Sequence, residues 1–159
     1  MQPTWDDGLV TGVEEIDAGH QRLAAVFDEV LRTLASERGR APFVAALSHL
    51  VDVFCDHLEV EDELMRQMDY GQAEAHRARH DEYLTRLSQL LFDCQKHNGS
   101  VVDNINELLF LWKDRHQALF DRPLAEAVKK QRLSLRAIEE EFERPSTFPS
   151  PPPLPPSPG

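Results

Sequence analysis

Apolar residues recur at helical spacing along four stretches of the 159-residue chain, and glycine and proline fall mainly between those stretches. The first stripe, Ile16, Leu23, Phe27, Val30, Leu31 and Leu34, predicts a helix from about Asp17 to Glu37. Gly39 and Pro42 separate it from a second helix, which runs from about Pro42, a residue suited to a first helical turn, to Met68. Its stripe is Leu47, Leu50, Phe54, Leu64 or Met65, and Met68. A third helix, about Gln72 to Lys96, follows Gly71 and carries Tyr83 or Leu84, Leu87, Leu90, Leu91 and Cys94, with Asn98-Gly99 as its stop. The fourth begins at Ser100 or Asp103 and carries Ile105, Leu108, Leu109 and Trp112.

No segment alternates as a strand would. Short connections between helices of similar length make neighbours antiparallel, so the expected fold is all-α, an up-down-up-down four-helix bundle over residues 1–131. After Pro123, the stretch LAEAVKKQRLSLRAIEEEFER predicts a further short helical piece, with residues 132–144 as a C-terminal extension. Of the 11 prolines, all but Pro3, Pro42 and Pro123 fall in residues 145–159, which are expected to be a disordered proline-rich tail with local polyproline II character. PPPLPP suits an aromatic groove, but an untethered end without a protein partner is the simpler reading.

Charge narrows the function classes. With 17 Lys plus Arg against 28 Asp plus Glu the formal net charge is −11, and the tail from Pro145 contributes none of it. Such a surface repels a phosphate backbone, so nucleic acid is not an expected partner. The start, MQPTWDDGLV, has neither a basic nor an apolar run, and FVAALSHLVDVF is interrupted by Ser48, His49 and Asp52, so neither a signal peptide nor a membrane span is expected. Two cysteines, Cys55 and Cys94, without a Cys-x-x-Cys pair read as free thiols in the cytoplasm.

The stripes have gaps, and metal-binding side chains fill them. His20 follows Ile16 by four residues, His57 and Glu61 continue Leu50 and Phe54, His76 and His80 lead into the third stripe, and His116 follows Trp112. Five of the seven histidines thus face one interior. Residues four apart lie within about 40° around a helix and roughly 6 Å along it, so His57 with Glu61, and His76 with His80, can each grip one site. Burying them without partners is costly, and metal coordination satisfies several at once. His49, about 80° around the helix from His57, and His97, at a helix end, are assigned no metal role. Asp121 lies five residues after His116, about 140° around an ideal helix, so it reaches the same site only through a local widening or bend.

The segments GVEEIDAGHQRL, DHLEVEDELM, HRARH and LWKDRHQALFD resemble the successive motifs of the hemerythrins, in particular the single-domain bacterial hemerythrins. The likeness runs from Trp5 to about Val128, with His-x-x-x-Glu, His-x-x-x-His and His-x-x-x-x-Asp in the family's order. It implies two iron ions with an oxo or hydroxo bridge: His76, His80 and His116 on one, His20 and His57 on the other, Glu61 and Asp121 spanning both. The first iron is then six-coordinate and the second five-coordinate, which leaves one position for dioxygen. Imidazole suits iron, and no Glu-x-x-His pair of the ferritin-like oxidases occurs in the chain.

The leading expectation is therefore reversible dioxygen binding, for storage, delivery or scavenging, rather than catalysis. An enzyme reducing peroxide or nitric oxide or donating iron for repair, and a sensor acting through a partner, are the alternatives. Trp112, Lys113 and Gln117 are the candidate residues of the oxygen pocket. The resemblance implies Leu after the tryptophan and Ile after the histidine of the fourth helix; here those positions are Lys113 and Gln117. A pocket with polar residues there is wetter, provided that Gln117 points inward.

Overall fold

The computed structural model describes residues 4–5, 7–36, 40–96 and 101–143. The expectations for His97 and for the proline-rich tail lie outside the described residues. Four helical stretches form the bundle: α1 (Glu14–Leu34), α2 (Arg40–Gln67), α3 (Ala73–Lys96), and a fourth that starts as α4 (Val101–Phe110) and widens into a π-helical segment (Leu111–Asp121). α1 packs on α2, α2 on α3 and α3 on α4, the neighbour order of an up-down-up-down bundle. No strand occurs among the described residues.

Two differences from the sequence reading matter. The first helix starts three residues earlier than expected, at Glu14, because Asp17 organises the loop before it. Its carboxylate accepts from the Thr11 N–H (2.7 Å), the Thr11 hydroxyl (2.7 Å) and the Gly12 N–H (3.0 Å), while Gly12 takes φ +82°, a conformation that costs glycine little. The second difference is continuity. The segment after Pro123 is no separate piece, since the π segment passes directly into α5 (Arg122–Glu143) with Pro123 in its first turn. Proline at that position lacks the N–H that would bond back one turn, and the ladder just before it has already shifted: the Arg122 N–H donates to the Gln117 carbonyl, five residues back.

The core has two apolar clusters. The larger includes Leu23, Phe27, Leu50, Phe54, Tyr83, Leu87, Ile105, Leu108 and Trp112. The smaller joins Val13 and Ile16 of the N-terminal side to Leu64 and Met65 of α2 and to Leu124, Ala125 and Val128 of α5. Along α1, α2 and the fourth helical stretch, the side chains that separate one cluster from the other are the polar ones: His20, His57 with Glu61, and His116 with Asp121. That layer interrupts the stripes at the same height and so divides the core in two.

Candidate metal centre

All seven predicted ligand residues meet in this layer. His20, His57, Glu61, His76, His80, His116 and Asp121 are each buried, none exposed by more than 6%. Their ligand atoms form two overlapping groups, each within a span of 4.8 Å: Glu61, His76, His80, His116 and Asp121 on one side, and His20, His57, Glu61 and Asp121 on the other. The two carboxylates belong to both.

Atom by atom, the division is clear. Asp121 turns Oδ2 to His20 Nε2 (3.1 Å) and Oδ1 to His76 Nε2 (3.2 Å) and His116 Nε2 (2.9 Å). Glu61 turns Oε1 to His57 Nε2 (3.5 Å) and Oε2 to His80 Nε2 (3.1 Å) and His76 Nε2 (3.4 Å). Each carboxylate thus sends one oxygen to a two-histidine side and the other to a three-histidine side. The widened π segment makes this possible, because it brings residues five apart onto one face and so sets His116 beside Asp121. Trp112 and Gln117, also five apart, are the other buried residues of that segment.

A metal fits these donors better than protons do. Both oxygens of Glu61, Nε2 of His57 and Nε2 of His80 are buried without a hydrogen-bond partner, although nitrogen and oxygen stand only 3.1–3.5 Å apart. The atoms are close but not aimed at one another, as adjacent ligands of one ion are: donors about 2.1 Å from a shared ion, at right angles, stand about 3 Å apart. Orphaned buried polar atoms of this kind are rare without a missing ion or water.

The electrostatics agree. Burial and Asp121 push the Glu61 carboxyl up, but the surrounding imidazoles outweigh both and hold it at about 2. Asp121 is likewise held well below the usual carboxylate range, against burial, by His116, His20 and His76. Burial lowers His57 to about 4, so its imidazole is neutral and ready to coordinate. Burial also pulls on His76, yet Asp121 and Glu61 raise it to about 9. Two ionised, desolvated carboxylates call for positive charge between them, and protons on imidazole supply it where no cation does.

Neighbouring groups set the ligands' aim. The Leu9 carbonyl, at the end of the 3-10 turn Asp7–Leu9, lies 3.2 Å from His20 Nδ1. A carbonyl only accepts, so Nδ1 carries the proton and Nε2 is presented to the cage. Phe120 stacks on His116 with ring centroids 5.5 Å apart and leans on His76 at 5.4 Å, and the Arg79 guanidinium covers its ring. The Tyr83 hydroxyl donates to the Leu108 carbonyl (2.7 Å), tying α3 to α4 just before the π segment. His49 lies apart, with an exposed side chain 3.8 Å from Glu29.

Sequence reasoning passed over Gly19. A Cβ there would stand 2.3 Å from His57 Nδ1, so only a glycine lets α2 bring that imidazole against α1. The available signal was a glycine inside a helix, immediately before a candidate ligand, where it costs about 1 kcal/mol relative to alanine. Gly19→Ala should therefore raise helix propensity yet displace His57. In a chelator competition it should weaken metal binding by about 10–100-fold, the usual effect of disturbing a ligand's support. Wild-type affinity in the variant would contradict this role.

The description of the family that matches residues 11–121 is hemerythrin HHE cation binding domain. The chain is similar to the bacteriohemerythrin of Pseudomonas paraeruginosa, with 27% identity over 125 residues that cover 79% of this chain and 80% of the relative. The bacteriohemerythrins of Stenotrophomonas maltophilia and Pseudomonas aeruginosa, at 26% and 27% identity, match with the same coverage of both chains. No solved structure gives a significant match. With a shared cation-binding domain spanning most of the chain, and the buried histidine and carboxylate cage inside it, this protein belongs to the hemerythrin family.

Proposed function

We propose that this chain is a di-iron protein that binds dioxygen reversibly. His76, His80 and His116 would hold one iron, His20 and His57 the other, and Glu61 and Asp121 would span the two. One observation carries the reading: both carboxylates divide their oxygens between a three-histidine and a two-histidine side, so the two-histidine side has one protein ligand fewer. Held by these residues, two irons would supply redox chemistry suited to dioxygen, with the two-histidine side of His20 and His57 the less crowded.

The chain's own residues provide the rest. Trp112 is fully buried, stacks on Phe27 with centroids 5.4 Å apart and sets its ring edge-on to His20 at 5.8 Å, so it walls the two-histidine side with apolar surface and keeps bulk water out. Its indole Nε1 has no hydrogen-bond partner, and neither has the amide Nε2 of Gln117, which is only 2% exposed. Gln117 thus points inward, which supports a pocket role, whereas Lys113 is half-buried. Two buried N–H donors without acceptors, on one face of the π segment, suit a small ligand that accepts hydrogen bonds, or water when that ligand is away. Free thiols at Cys55 and Cys94 suit a reducing compartment such as the cytoplasm.

Reversibility is tested by loading the metal-free protein anaerobically with ferrous iron, admitting air and then removing oxygen. The visible spectrum should appear and vanish over several cycles, and irreversible oxidation in the first cycle would favour the enzyme reading instead. Gln117→Ile tests the wetter pocket. Without an amide to hold water, the oxygenated form should persist several-fold longer in air, read from the decay of its visible absorption; an unchanged or shorter lifetime would reject a role for Gln117.

A further inference from the structure

α5 outlasts the bundle on which it packs. Leu124, Ala125 and Val128 are buried, whereas every residue from Gln131 to Glu143 is exposed. The apolar stripe nevertheless continues beyond the contact: Leu135, Ile138 and Phe142 follow Val128 at steps of seven, three and four, all within about 80° around the helix. They are exposed at 53%, 52% and 86%. Because the family match ends at Asp121, this helix lies outside the shared domain.

Beyond Glu126, which pairs with Lys129, charge along α5 is sorted. Lys129, Lys130, Arg132 and Arg136 all precede Glu139, Glu140, Glu141 and Glu143. Two such helices side by side in parallel would set like charge on like, and antiparallel they would set base on acid along their whole exposed length. Arg136, Glu139 and Glu143 also share one flank of the apolar stripe, at about 40–100° from Leu135, with Arg132, which pairs with Glu15 of its own chain (2.6 Å), at the bundle end of that flank. A two-fold axis between Arg136 and Ala137 would place Leu135 against Ile138 of the second copy. The same axis would place Arg136 near Glu139 of the second copy, and symmetry makes that contact twice. An anionic membrane surface is the poorer occupant, because the acidic half of the same helix would face it.

We propose that two copies of this chain associate through α5, packed antiparallel along the stripe Leu135, Ile138 and Phe142. The pairing is self-complementary, so it closes as a dimer and propagates no further. It leaves the metal layer untouched, since Leu124 and Val128 still anchor α5 to each bundle.

Sedimentation equilibrium of the full-length protein tests this with two charge variants, Arg136→Glu and Glu139→Arg, whose far-ultraviolet circular dichroism reports that the helices remain. The wild type should show a monomer–dimer equilibrium. Each variant alone sets like charges against each other at both symmetry-related contacts and should self-associate at least about tenfold more weakly. An equal mixture of the two restores base opposite acid and should recover the dimer. Ile138→Glu should weaken association without a partner that rescues it. A wild type that stays monomeric at every concentration would overturn the proposal, and so would charge variants that dimerise alone as well as the wild type does.

Discussion

Everything in this molecule is arranged around two ionised carboxylates sealed inside a helical bundle. Glu61 and Asp121 are completely buried, out of contact with bulk solvent. Desolvating such groups is among the most expensive things that a fold can do, and it persists only where compensating charge is held at contact distance. Five imidazoles from α1, α2, α3 and the π segment surround them, and a bound cation would complete the neutralisation. The surrounding structure then follows as support: apolar clusters on either side keep the layer dry, and the Leu9 carbonyl and Phe120 fix ring orientation.

The π segment is where backbone geometry serves that constraint most directly. An α-helix cannot present His116 and Asp121 to one centre, because five residues carry the chain well past one turn. Widening the ladder costs good hydrogen-bond geometry, and such segments persist mainly where function requires them. Here the widening aligns Trp112 with Gln117 as well as His116 with Asp121, so one distortion positions two ligands and the two unpartnered donors of the neighbouring pocket. It also passes without a break into α5, whose first turn holds Pro123.

Much of this was legible in the sequence because helical period is a strong signal when the faces are as different as apolar and metal-binding. The gaps in the stripes at His20, His57, Glu61, His76, His80 and His116 mark one height in the bundle, and the structure brings these residues together. The five-residue step from His116 to Asp121 announced a widening, though not its length of 11 residues. Other features depend on contacts between elements far apart in the chain. No pattern within α1 tells that Gly19 faces His57, or that Leu9 reaches His20. Pro123 read as a boundary, whereas the shifted ladder before it absorbs the missing N–H and lets α5 continue. The inward turn of Gln117 could not be read from sequence either, because an amide beside a ligand suits solvent as well as a pocket.

The central claim is that one layer of side chains builds two metal positions that share their carboxylates. Iron analysis of protein reconstituted under anaerobic conditions, combined with Mössbauer spectroscopy of the loaded sample, addresses it most directly. The account predicts two irons per chain, in two coordination environments of equal abundance, matching the three-histidine and two-histidine sides. A single iron per chain, or one metal position that takes only zinc, would contradict it.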